Sequence, residues 1–280
     1  MLAFEPDYDT CKLYVEMDSL GEAVSDYSSF GHTAKTFGVG RVHNGINYGF
    51  AQSTESIFDG RSCYAEIEDH DDLKISTIST GFSLFFRFLP FSLDQSGGYN
   101  QQVVSKIDTA PDTDWWSFEI FEDGKAAFNM EKSNTIYSIV TPAAIISPVL
   151  YTNLTTLTPR YDVGVTFDEG TDTLKLFVNN TLYDTVNSSL QAGSQIPSYA
   201  TSNTKINIGR WTDIVTPAVG EKYASRSASK LYHGVFQQLK FFKDKVATDA
   251  EVGYHYTNKV TIADIPFGQV ASPGTMVFDT

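Results

Sequence analysis

Tyr161, Val163, Val165 and Phe167 alternate with Asp162, Gly164 and Thr166. A period of two sends one set of side chains to a buried face and the other to a wet one, so the run predicts a β-strand. The segment DEGTD follows, and Gly170 is expected to supply the positive φ of a tight reversal. Leu174, Leu176 and Val178 then alternate with Thr173, Lys175 and Phe177 as a return strand. A second reversal at Asn179-Asn180 leads into a third short strand over 181–186. Residues 160–186 therefore read as a β-meander.

The same period recurs along the chain. Residues 81–89 (GFSLFFRFL) form the strongest strand signal, with Phe82, Leu84, Phe86 and Phe88 on one face and Ser83 and Arg87 on the other. Further strands are predicted over 12–17, 61–67, 103–107, 205–209 and 234–242. Residues 116–121 and 125–130 predict a hairpin around Glu122-Asp123-Gly124. Thr248 with Glu251 three residues later is a capping box that opens a short helix towards Tyr256. Residues 18–38 are rich in turn formers, 39–59 are loose, and 210–230 form a long polar loop. Pro142, Pro148 and Pro159 predict broken strands and loops over 135–160. No repeat or low-complexity linker divides the chain. The expected layout is an N-terminal arm (1–11), one β domain (12–256) and an extended C-terminal tail (257–280).

Composition sharpens this picture. The 280 residues are 41% hydrophobic and 14% aromatic, enough for a sizeable core, and 20 Gly with 10 Pro suit many turns. A net charge of −14 argues against nucleic acid or an anionic membrane as partner. No stretch has the length of a membrane span, so membrane insertion is not expected. Cys11 and Cys63 are too few for a disulfide scaffold; they either pair across neighbouring strands or stay as free thiols. Met1 is followed by LAFEPDYD, without the basic start or apolar run of a signal peptide. Sequons at Asn153, Asn179 and Asn187 carry little weight in a chain so rich in Ser, Thr and Asn.

In order, these pieces resemble a concanavalin A-like jelly roll of the laminin G-like type. LYVEMDS with SDYSSFGH is similar to the family's opening strand and loop, GRSCYAEIEDHDDLKI to its next strand, and GFSLFFRFL to the strand after that. YDVGVTFDEGTDTLKLFVNNTLYDT, INIGR and LYHGVFQQLKFFKDKVATDAEV continue the series over about residues 12–256. The resemblance implies two antiparallel sheets packed face to face around a shared core, a short helix near the C-terminus and extended terminal tails. Two departures stand out. Asn179-Asn180 replaces the family's usual Asn-Gly, and Gln237 stands where relatives that bind calcium often carry an acid.

Three kinds of chemistry remain. Glycosidases of related folds place acids at alternate positions of one strand. Glu66 with Glu68, and Glu119 with Glu122, come nearest, but neither pair reproduces that alternating triple. The resemblance implies a calcium site near Asp18 and Asp26, whose hard oxygens suit Ca2+; Gln237 lowers the ligand charge there. Asp69, Asp71 and Asp72 cluster around His70, which reads as a surface residue. For recognition, adjacent Trp115 and Trp116 point to opposite faces of a strand, so one is expected in the core and the other exposed. Trp211 opens the 210–230 loop as a platform for a sugar or a partner protein.

These readings converge on a protein that binds or assembles and does not catalyse. The expectation is a virion or extracellular-surface component, such as a capsid decoration, turret or fibre. It would form a homo-oligomer, dock other virion or surface proteins through its tails, and contact host glycans. The alternatives are a calcium-assisted, lectin-like module acting alone and, more remotely, a glycosidase of the same fold.

Overall fold

The computed structural model describes residues 10–17, 23–24, 26–43, 54–60, 63–93, 100–108, 114–149, 160–183, 204–210, 231–257, 271–272 and 275–276. In chain order the strands are β1 (Cys11–Glu16), β2 (Ala23–Val24), β3 (Ala34–Phe37), β4 (Gly40–His43), β5 (Thr54–Asp59) and β6 (Tyr64–Ile67). A 3-10 turn over Asp71–Leu73 precedes β7 (Gly81–Pro90), β8 (Gln101–Ile107), β9 (Trp115–Ile120), β10 (Ala126–Lys132) and β11 (Thr135–Val140). Then come β12 (Tyr161–Asp168), β13 (Thr173–Val178), β14 (Thr181–Tyr183), β15 (Ile206–Ile208), β16 (His233–Lys243) and helix α1 (Asp249–Thr257). Two short strands, β17 (Ala271–Ser272) and β18 (Thr275–Met276), pair with each other in the tail.

The strands form the two-sheet antiparallel sandwich that the resemblance implies. Sheet A runs β14-β13-β12-β7-β16-β5-β4, with β1 also paired to β16; sheet B runs β11-β10-β9-β8-β15-β6-β3-β2. Inward side chains of both sheets make one core, in which Phe86 and Phe88 of β7 meet Phe118 of β9 at 4.9 and 5.6 Å between ring centroids. The strongest predicted strand is thus the spine of sheet A, between β12 and β16.

The turns obey residue chemistry, with one substitution of role. Asn179 and Asn180 both adopt positive φ (50° and 63°), the left-handed pair that a two-residue hairpin needs. In the preceding reversal the left-handed residue is Asp172 (φ 58°), and Gly170 is not among the positive-φ glycines. Asp168 Oδ1 accepts the Gly170 and Thr171 amides there, so a side chain shapes the turn in place of a glycine. The hairpin at Gly124 (φ 82°) forms as expected.

The regions read as loops need correction. β3, β4 and β5 lie within residues 18–59, and β11 lies within the proline-rich 135–160. Each is a short edge or near-edge strand that gains its structure from pairing with a longer neighbour, a term local pattern does not contain. β11 also follows a tight turn at Ser133 and Asn134, both left-handed.

On the outer face of sheet A, α1 seats Val252 against a second apolar cluster of Cys11, Phe85, Phe177, Phe242 and Ala247. Its capping box is reciprocal: Thr248 Oγ1 accepts the Glu251 amide at 3.2 Å, and Glu251 Oε2 accepts the Thr248 amide at 2.7 Å. Both cysteines are free and buried. Burial pushes the Cys11 thiol up to about 12, and Cys63 Sγ donates to the Gly38 carbonyl.

Candidate functional site

The outer face of sheet B is polar where an outer face over a core is usually plain surface. Reading across the paired positions, Ser138, Asn129, Ser117, Ser105, Asn207, Glu66 and Lys35 stand in one row on β11, β10, β9, β8, β15, β6 and β3. Strand alternation places the row there: Trp116, Phe118 and Ile120 of β9 turn inward, so Trp115, Ser117 and Glu119 turn outward. Yet this face is not wet. Ser117, Glu119, Asn129 and Asn207 are all 0% exposed.

Glu119 is the hub. Its Oε1 accepts from Asn129 Nδ2 at 2.6 Å, and its Oε2 accepts from Asn100 Nδ2 at 2.8 Å and Gln102 Nε2 at 3.1 Å. A bulge in β8 between Gln102 and Val104 turns Gln102 to this face. Gln102 Oε1 and Ser117 Oγ are shielded from solvent without a hydrogen-bond partner. Such atoms are uncommon and call for a specific explanation.

At the β3–β6 edge the row becomes charged, aromatic and exposed. Glu66 accepts from Arg210 Nη2 through Oε1 and from Lys205 Nζ through Oε2 at 2.9 Å, while Glu68 accepts from Lys205 at 3.2 Å and Lys35 at 3.4 Å. Arg210 lays its guanidinium 3.6 Å above the Tyr64 ring and donates Nε to Asn207 Oδ1 at 2.9 Å. Burial draws the Arg210 pKa below its ordinary value, and Glu66 opposes that shift. Phe37, 38% exposed, stacks on Tyr64 at 4.5 Å and 17°. Gly209 sets up this corner. Its φ is +85°, and a Cβ there would stand 2.3 Å from Phe58 Cδ1, so only glycine brings Arg210 round this close to the core.

The acid pairs weighed for catalysis are placed apart from that role. Glu66 and Glu68 are bound to basic groups, and Glu119 is buried while Glu122 lies exposed in the hairpin turn. The tryptophan pair does point to opposite faces, but both rings are only 1% exposed. Trp116 stacks on Phe128 in the core, and Trp115 donates Nε1 to Glu131 Oε2 at 2.8 Å on the shielded outer face. The expectation of one exposed ring fails because the outer face around β9 is itself buried. Among the described residues, Phe37 and Phe30, both from a region read as turns, are exposed rings instead. The residues of β3, Ala34, Lys35, Thr36 and Phe37, do not alternate apolar with polar, so no local signal marked Phe37.

Trp211 and Asp18 lie outside the described residues. Asp26 is described, and both its oxygens are taken: Oδ1 accepts the amides of Tyr14 and Ser28 at 2.9 Å, and Oδ2 accepts from Ser28 Oγ at 2.7 Å and His32 N at 2.8 Å. Four donors fill a carboxylate's acceptor sites, so Asp26 clasps its loop to β1 where a calcium ligand was expected. Gln237 accepts from Arg87 Nη1 at 3.2 Å, and Arg87 pairs with Asp162 at 2.6 Å. In the acidic run, Asp69 pairs with Lys106 and Asp71 with Lys74, whereas Asp72 stands beside His70.

No protein-family model matches the chain, and no curated protein matches it. Solved structures do. The binding domain of Paraclostridial Mosquitocidal Protein 1 aligns over 90% of this chain at TM-score 0.58 and 13% identity, covering 53% of its own length. The binding domain of botulinum neurotoxin DC, in complex with rat synaptotagmin II, aligns over 91% at TM-score 0.55 and 12% identity, again covering 53% of its length. Domain 4 of AbnA, a GH43 extracellular arabinanase from Geobacillus stearothermophilus, in complex with arabinotriose, aligns over 86% at TM-score 0.50 and 12% identity, covering 96% of its length. The chain thus spans about half the length of the toxin domains it resembles. At these identities the likeness is one of fold.

Proposed function

We propose that this protein is a non-catalytic recognition component of a virion or extracellular surface, and that the exposed β3–β6 corner of sheet B binds glycan. The observation that carries this reading is the β3–β6 corner. An exposed Phe37 ring is held on Tyr64, on the face of β3 that also carries Lys35, whose exposed amine pairs with Glu68 beside Lys205. Sugars are bound by such a combination, an aromatic face for their C–H surface and fixed polar groups for their hydroxyls. The fold likeness to a domain crystallised with arabinotriose and to toxin binding domains is consistent with this role. Attachment to a surface and self-association through the tail belong to the same proposal. With Asp26 saturated, binding is expected to need no calcium at that residue.

The test is a glycan array probed with the full chain, with and without Ca2+, followed by titration of the best glycan against Phe37→Ala. Removing an exposed stacking ring is expected to weaken binding roughly tenfold while leaving the melting temperature nearly unchanged. Full affinity in Phe37→Ala would place the site elsewhere. Silence on the whole array would exclude glycan as the ligand and turn attention to a protein receptor.

A further inference from the structure

His32 lies in the loop between β2 and β3, and His70 and Asp72 belong to the 3-10 turn that follows β6. These are distant in sequence, yet the three side chains bring ligand-type atoms within 4.8 Å of one another. The imidazoles meet edge to face at 4.9 Å between centroids. His70 Nδ1 accepts the Asp72 amide at 3.3 Å and lies 3.1 Å from Asp72 Oδ2. His32 Nε2 is shielded from solvent and has no hydrogen-bond partner. The Asp26 carboxylate accepts the His32 amide at 2.8 Å and so fixes its backbone. The other acids of the run are committed to Lys106 and Lys74, which leaves Asp72 as the carboxylate turned to the histidines.

We propose that His32, His70 and Asp72 form a binding site for a first-row transition-metal dication of the zinc type, tying the β2–β3 loop to the 3-10 turn. Two imidazoles and one carboxylate are the donor set of such ions, whereas calcium and magnesium prefer all-oxygen shells. Ligands at about 2.0–2.1 Å in tetrahedral geometry stand roughly 3.3 Å apart, so the present cluster must draw in by on the order of 1.5 Å. His70, with its side chain 56% exposed, and Asp72 at 30% have room for that rotation. This site is independent of the glycan reading and lies outside the row of polar residues on sheet B.

The experiment uses untagged full-length protein, stripped with chelator and titrated with zinc chloride by calorimetry, alongside thermal melts in zinc or calcium chloride. One equivalent of zinc is expected to bind at micromolar or lower concentration and raise the melting temperature, with no rise in calcium. His70→Ala is expected to weaken zinc binding by roughly tenfold or more, and His32→Ala likewise. His32 sits in a clasped loop, so the exposed His70 decides the matter. Zinc binding of undiminished affinity in a folded His70→Ala protein, or no zinc bound by the wild type up to 100-fold excess, would overturn the assignment.

Discussion

Glu119 and Glu122 stand three positions apart in one hairpin and meet opposite fates. Glu122 is exposed in the turn, whereas Glu119 is fully buried and accepts hydrogen bonds from Asn100, Gln102 and Asn129. Truncating Glu119 leaves three buried amide donors to find other acceptors, each worth about 1–3 kcal/mol if none is found. Glu119→Ala is therefore expected to lower unfolding free energy by roughly 3 kcal/mol, and Glu122→Ala by under about 0.5 kcal/mol. Urea midpoints of the two variants check this; equal, small shifts would mean the amides re-pair freely and Glu119 is no hub. Strand parity let the sequence put Trp115, Ser117 and Glu119 on one face together. It could not say that this face is shielded, because parity separates two faces without telling which of them the rest of the chain covers.

Helix α1 shows what an element adds to its residues. Thr248 and Glu251 announced its start through a local hydrogen-bond pattern, which needs no tertiary partner to be legible. Its docking on sheet A depends on residues far away in sequence. Gly164 lets Val252 approach, and His255 stacks on Phe85 at 4.0 Å and lies near Phe242. Burial, with Lys240 adding to it and Glu251 opposing, lowers the His255 pKa from 6.5 to about 3. Between those values the unfolded chain takes up a proton that the folded state excludes. Stability from this packing is thus whole above pH 6.5 and falls as pH drops towards 3, by up to about 1 kcal/mol per unit. Melting curves from pH 7 to 4.5 should show the wild type losing roughly 2 kcal/mol more than His255→Phe. Parallel losses in the two proteins would mean that His255 is not excluded from protonation. The short strands β3, β4, β5 and β11 teach the complementary lesson, since they exist through pairing across the sheet and left little local trace.

For the whole molecule, assembly is the property to measure. Size exclusion with light scattering would compare the full chain with one ending after Thr257, the last residue of α1. If the tail joins copies, the full chain runs as a defined oligomer and the shortened one as a 1:1 monomer of its own mass. Two monomers would remove self-association through the tail from the proposed function, leaving the glycan face and the metal site standing on their own tests.

The sequence by itself determined the long strands, their reversals and the helix start, since period-two alternation, the Asn179-Asn180 and Gly124 turns and the capping box are local rules that the fold obeys. It also determined that Trp115 and Trp116 face opposite ways, because a strand permits nothing else. Only the tertiary structure decided that both tryptophans are buried, that Asp26 is saturated by three amides and a hydroxyl, and that the Phe37 ring is left in the open. It alone gathered His32 with His70 and Asp72, and Arg210 with Tyr64 and Glu66. Exposure and side-chain partnership are set by segments distant along the chain, and a local pattern carries no record of which distant segment arrives.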